Sequence, residues 1–169
     1  PILKIKLDSH MPCEKLAAIR AARPDAKLVV DANQGWSFDL LQAALPELQK
    51  LGLEMLEQPL QRGADEPLEG FASPITLCAD ESCLHSGELA VAASRYGMIN
   101  IKLDKTGGLT EALKLARAAK TLGCQLMVGN MVGTSLAMAP SLVVAQLCDF
   151  VDLDGPLLLK YDHPNGLRY

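Results

Sequence analysis

Apolar and polar positions along this chain run in two alternating rhythms. Residues 3–7 (Leu-Lys-Ile-Lys-Leu) alternate with period two and predict a strand with Lys4 and Lys6 on one face. Residues 12–22 follow, with Leu16, Ile19 and Arg20 spaced for a helix that Pro24-Asp25 ends. The apolar run 27–31 is the second strand and closes on Asp31. Ser37 is placed to cap a helix reaching Leu51, with Gly52 as its stop and a kink at Pro46. Strands are expected at 53–57, 75–80, 98–103, 126–128 and 150–153. Between them the pattern predicts a short helix near 66–71 and helices over 86–96, 110–122 and 135–147.

Strand and helix therefore alternate throughout, and each connection has the length of a crossover helix. That pattern predicts an α/β fold with a parallel sheet. Polar strand ends recur at Lys6, Asp31, Glu57, Asp80, Lys102, Gly129 and Asp154, 22 to 27 residues apart, one strand-helix unit each. Such a series favours a (β/α) TIM-type barrel, whose active sites lie at the C-terminal ends of the strands. Seven strand units are present where a closed barrel of this type has eight. Residues 1–169 are thus expected to form a partial barrel domain, its first strand supplied by a longer polypeptide.

Composition narrows the function classes. Nearly half of the 169 residues are hydrophobic, enough for a sizeable core. A net charge of -4 argues against a nucleic-acid binder, and no apolar run approaches the ~20 residues that span a bilayer. Five cysteines without CxxC spacing read as reduced thiols of a cytoplasmic protein. The histidines at 10, 85 and 163 read as surface or loop residues.

The candidate chemistry lies at the strand ends. Asp31, Glu57 and Asp80 on three successive strands are hard oxygen donors with no His or Cys among them, a set suited to Mg²⁺. Taken singly, each acid reads equally as a solvated turn residue. Lys6 lies one unit before the acids and Lys102 one unit after, and Lys4 shares the face of Lys6. A neighbouring cation and partial desolvation would lower a lysine pKa and fit it for general base work. Two bases and a Lewis acid suggest proton abstraction alpha to a carboxylate. The alternative for Lys102 is a structural ion pair with Asp80 or Asp104.

Lys4-Ile5-Lys6, Asp31-Ala32-Asn33, Glu57-Gln58-Pro59, Ala79-Asp80-Glu81-Ser82 and Asn100-Ile101-Lys102 together resemble the motif set of the enolase superfamily, muconate lactonizing enzyme branch. Within the branch, residues 102–109 and 152–156 look most like the dipeptide epimerases of the L-Ala-D/L-Glu type. The resemblance implies an isomerase, a dipeptide epimerase working by two-lysine 1,1-proton transfer through a metal-stabilised enediolate. It implies Mg²⁺ ligation by Asp31, Glu57 and Asp80, acid/base catalysis by Lys6 and Lys102, and support from Lys4, which would also touch the substrate. Asp152 and Asp154, on one strand face, would hold the free ammonium group of the dipeptide, although Asp154 before Gly155-Pro156 also reads as a turn former.

The family further implies an N-terminal α+β capping domain, absent here like the first barrel strand, and it allows a homo-oligomer. Asn130 departs from the small or thiol residue expected after Gly129. The alternative functions are another branch activity (N-acylamino acid racemase, o-succinylbenzoate synthase or cycloisomerase) and a catalytically silent binding or assembly domain.

Overall fold

The computed structural model describes residues 1–168. Its contacts divide into two units, one of residues 1–82 with 94–97, the other of residues 83–93 with the chain from Met98 on.

In the first unit β1 (Ile2–Lys6), β2 (Lys27–Asp31), β3 (Leu53–Glu57) and β4 (Thr76–Ala79) pair in parallel in chain order. Helices α1 (Pro12–Ala22) and α2 (Phe38–Lys50) make the first two crossovers. Ser37 caps α2 as expected, its hydroxyl accepting from the Leu40 N–H at 3.1 Å. The helix continues through Pro46 and buries Leu41, Ala44, Leu45 and Leu48. The apolar face expected of α1 is narrow, with only Pro12 and Leu16 buried. Arg20, expected on that face, instead donates to the carbonyls of Ala26, Leu51 and Gly52 at 2.6, 2.8 and 3.1 Å. It thereby satisfies carbonyls at the end of α2 that have no partner within the helix. Leu28, Val29, Val30, Met55, Leu56 and Leu77 form the sheet side of this core.

A single irregularity sets the register. Leu28 pairs with Leu53, but Val29 pairs with Met55, so Glu54 is an extra residue in β3. Side chains on a strand alternate with period two. Without the extra residue Asp31 would lie beside Leu56; with it, Lys6, Asp31 and Glu57 fall in one register row.

In the second unit β5 (Met98–Ile101), β6 (Gln125–Val128) and β7 (Phe150–Val151) are again parallel and in chain order. Helix α5 (Leu109–Thr121) packs Ala112, Leu115, Ala116 and Ala119 into a core with Ile99, Ile101, Leu126 and Val128. The expected α/β class with seven parallel strands holds.

Several boundaries differ from the sequence expectation. Residues 86–88 form a 3₁₀ turn before α3 (Leu89–Arg95), and its cap is the His85 ring, which accepts from the Gly87 N–H at 3.1 Å. The Ser86 N–H donates to the Glu111 carboxylate at 2.9 Å. The strand expected over 98–103 stops at Ile101, and 103–106 turns into the short helix α4 (Leu103–Thr106). The helix expected over 135–147 is two helices, α6 (Ser135–Met138) and α7 (Ser141–Ala145), parted at Ala139-Pro140. Proline has no N–H for the helical ladder and clashes with the preceding turn. Among the described residues no helix is long and apolar enough to cross a membrane, and all five cysteines are free.

Candidate active site

The row set by the bulge puts a dense cluster of charge at the ends of β1–β3. Glu57 is fully buried, and Asp31 and Asp80 are 2% exposed. The Lys4 ammonium lies 2.8 Å from Glu57 Oε2 and 3.7 Å from Asp31 Oδ2. Lys6 Nζ donates to Asp31 Oδ2 at 3.0 Å and to Asn33 Oδ1 at 2.6 Å. An ionised carboxylate in such a place must be compensated by charge and hydrogen bonds. Burial pushes the Glu57 carboxyl up to about 7; Lys4 holds it down, and the negative charges of Asp31 and Asp80 add to the rise. The structure therefore brings Lys4, Lys6, Asp31, Glu57 and Asp80 together. The desolvation expected around Lys6 is not found, since its side chain is 70% exposed. A cavity of about 500 Å³, lined by Lys6, Asp8, Ser9, Asp31, Asn33 and neighbours, opens at this point.

The turn after β2 is shaped around Asp31. The Asn33 backbone N–H donates to Asp31 Oδ1 at 2.9 Å, and its side-chain amide donates to Oδ2 at 3.2 Å. Asn33 and Gln34 adopt left-handed backbone conformations, which Asn tolerates better than most residues. Trp36 is buried, and its indole N–H points at the carbonyls of Leu7 and Asp8 at 3.2 and 3.1 Å. The ring thus packs the loop and holds the chain just after Lys6.

Sequence reasoning missed Gln58. It is fully buried with φ at 37°, and its Oε1 accepts from the N–H groups of Asp80 and Ser82 at 2.9 and 3.1 Å. The available signals were a long polar side chain between a buried strand and Pro59, and its place in the Glu57-Gln58-Pro59 motif, which assigned it no role.

In the second unit, Lys102 follows β5 and is buried, with its carbonyl accepting from the N–H groups of Lys105 and Thr106. Gly129, at the end of β6, lies against it: a Cβ there would stand 2.8 Å from Asn100 Oδ1 and 3.1 Å from Lys102 Cε. Asp152 and Asp154 do not share a strand face as expected, because β7 ends at Val151. Asp152 is half-buried and donates its N–H to the Val128 carbonyl; Asp154 is exposed and opens a 3₁₀ turn over 155–158. Asn130 donates from its side chain to the Asp152 carbonyl at 2.5 Å, which ties this segment to the end of β6.

The chemistry of the first-unit acids fits a hard divalent cation, because three buried carboxylates from β2, β3 and the end of β4 offer oxygen donors only, and Asp31 and Asp80 both bear on the Glu57 carboxyl. Among the described residues, no three His, Cys, Asp or Glu side chains are yet drawn to one point as a metal requires. Ammonium groups supply the compensating charge.

Comparison with known proteins agrees with this arrangement. Residues 1–156 match the family described as Enolase C-terminal domain-like. The chain is 46% identical to an N-acetyl-D-glutamate racemase from Pseudoalteromonas, over 100% of this chain and 54% of that protein. It is 48% identical to the L-Ala-D/L-Glu epimerase of Escherichia coli K12, over 99% of this chain and 52% of that protein. The chain thus spans about half the length of the curated relatives it matches. Among solved structures, an L-Ala-D/L-Glu epimerase superposes with a TM-score of 0.96 at 48% identity, over 99% of this chain and 53% of that one. A dipeptide epimerase from Methylococcus capsulatus, complexed with Mg and the dipeptide L-Arg-D-Lys, gives 0.90 at 34% identity, over 96% and 49%. With parallel strands delivering the acids and lysines of its motifs, this chain belongs to the Enolase C-terminal domain-like family.

Proposed function

We propose that residues 1–169 are the barrel part of a dipeptide epimerase, an isomerase that inverts the alpha carbon of one residue of a dipeptide such as L-Ala-D/L-Glu. The observation that carries the reading is the buried Asp31–Glu57–Asp80 set with the Lys4 and Lys6 ammonium groups upon it. Asp31, Glu57 and Asp80 would hold Mg²⁺. When bound, the ion supplies positive charge to the oxygens of the substrate carboxylate and so favours loss of the alpha proton. Lys6, exposed at the cavity, takes the proton from one configuration, and Lys102 serves the other. Lys4, held between Glu57 and Asp31, adds positive charge where negative charge develops. The relatives named as epimerases and the neighbour complexed with Mg and a dipeptide support this reading, and the free cysteines suit a cytoplasmic setting.

The test is alpha-proton exchange in deuterium oxide by the polypeptide that carries this chain. Lys6→Ala should slow exchange from one stereoisomer far more than from the other. Equal, mild effects on both would sink the two-base assignment.

A second reading, an N-acylamino acid racemase, is favoured by the similarity to the N-acetyl-D-glutamate racemase. The two differ in whether the substrate amine is free. We assign the ammonium contact to Asp152 and Asp154. If replacing both with Asn leaves the preference for a free amino terminus unchanged, the racemase reading gains.

A further inference from the structure

Beside the acids of the first unit lies a chain of buried and half-buried polar groups that the proposed reaction does not use. Arg95 donates to Asp65 Oδ1 at 2.8 Å. Asp65, 2% exposed, accepts on Oδ2 from the Ser82 hydroxyl at 2.6 Å and the Tyr96 hydroxyl at 2.8 Å. Gln58 Nε2 in turn lies 2.8 Å from Ser82 Oγ, 3.1 Å from the Tyr96 oxygen and 2.8 Å from the Leu60 carbonyl. On its other side, Gln58 Oε1 receives the N–H groups of Asp80 and Ser82.

The direction of these bonds is dictated from one end. An ionised carboxylate only accepts, so both hydroxyls must give their protons to Asp65. Burial, above all, raises the Tyr96 phenol above its ordinary value and keeps that proton in place. The hydroxyl oxygens then have only lone pairs to offer, and they draw the NH₂ end of Gln58. The carbonyl end of the amide is thereby turned to the turn after β4, where two backbone donors meet it. Reversing the amide would set NH₂ against two N–H groups and a carbonyl oxygen against three acceptors. From Asp65 to Gln58 the members of this chain hold one another through hydrogen bonds, and networks of this kind rigidify what they touch.

We propose that Gln58, oriented by Asp65 through Ser82 and Tyr96, is a positioning residue that fixes the carboxylate of Asp80 by clamping the backbone of its turn. The inference deepens the metal reading given above and rests on it for its consequence, while the clamp itself is a separate physical claim. Its four side chains span positions 58 to 96 and come from one unit. Gln58 also fastens the turn after β2, since its backbone carbonyl accepts from the Gln34 N–H at 2.8 Å. One residue thus ties the turn after Asp31 to the turn that carries Asp80.

The experiment uses the polypeptide that carries this chain. Gln58→Met keeps the bulk and removes both polar ends, and Tyr96→Phe removes one hydroxyl and serves where the first variant does not fold. Amide hydrogen exchange is followed at Asp80 and Ser82, with Val29 and Val30 of β2 as internal controls. Mn²⁺ affinity is read from the EPR signal of the free ion, beside Asp80→Asn. The expected result is exchange about tenfold faster at Asp80 and Ser82 alone, and Mn²⁺ affinity lower by at least about tenfold, the usual effect of losing a group that orients a metal ligand. A purely structural role would lower the melting temperature with exchange rising everywhere and Mn²⁺ affinity held within twofold, and that outcome overturns the proposal. If Asp80→Asn binds Mn²⁺ as tightly as the parent, the metal reading is what fails, and the exchange rates alone then decide whether Gln58 clamps the turn.

Discussion

The acids at the ends of β2 and β3 and the acids after β7 bear the same functional group in unlike settings. Asp31 and Glu57 are excluded from water and are met by ammonium groups at 3.0 and 2.8 Å. Asp154 is exposed, and Asp152 is half-buried on a stretch with no regular strand beneath it. A buried carboxylate must be compensated or protonated, so its neighbours are part of the fold; one that water reaches is solvated and leans less on the fold around it. The difference separates two kinds of site residue: those whose removal disturbs the chain itself, and those whose removal changes only what the chain binds.

That contrast can be broken by measurement. The largest expected effect is from Lys4→Met, which leaves Glu57 buried without its ammonium partner. Urea unfolding at pH 8 should show a loss of about 4 kcal/mol, and a much smaller loss at pH 5, where Glu57 is protonated. A loss at pH 8 no larger than that of a surface change would remove the distinction.

The second effect is a pH slope in metal-free protein. The Glu57 carboxyl is raised from 4.5 to about 7 by burial, with Asp31 and Asp80 adding to the rise and Lys4 opposing it. The folded state therefore holds its proton more tightly than the unfolded chain between these values. Stability from this group is full below pH 4.5 and falls as pH rises to about 7, by on the order of 3 kcal/mol. Unfolding in the presence of a chelator should show the decline, and Glu57→Gln should flatten it.

Trp36→Phe comes third. It removes the indole donor from the Leu7 and Asp8 carbonyls and should lower the stability measured in urea by about 1 kcal/mol. The smallest effect is from Asp154→Asn, expected within about 0.5 kcal/mol of the parent. A larger loss there would show that the exposed acid also serves the fold.

Much of the architecture could be read from residue order. The bounds of α1, β2 and β3 agree with the pattern because Pro24, Gly52 and Pro59 punctuate it. The clustering of Lys4, Lys6, Asp31 and Glu57 was likewise legible, because equal strand-helix units bring strand ends to a common level. What escaped depends on partners distant in the chain or on single residues within a pattern. The bulge at Glu54 is a register choice, and five residues of strand look the same with or without it. Apart from the Leu60 carbonyl, the Gln58 side chain finds its partners at positions 80, 82 and 96, beyond any local window. Pro140 was visible but lay inside an apolar run whose helical period concealed it. Asp152 and Asp154 looked like alternate residues of a strand, yet the ladder to β6 closes at Val151.

Gly129 bears on how this chain can be altered. No side chain larger than hydrogen fits there without displacing Asn100 and the stem of Lys102. Two and three residues further on, Met131 and Val132 are 56% and 64% exposed. A library that varies the turn after β6 should therefore leave position 129 untouched and randomise 131 and 132, where new side chains meet solvent. The tolerance of the segment changes from none to wide within three residues.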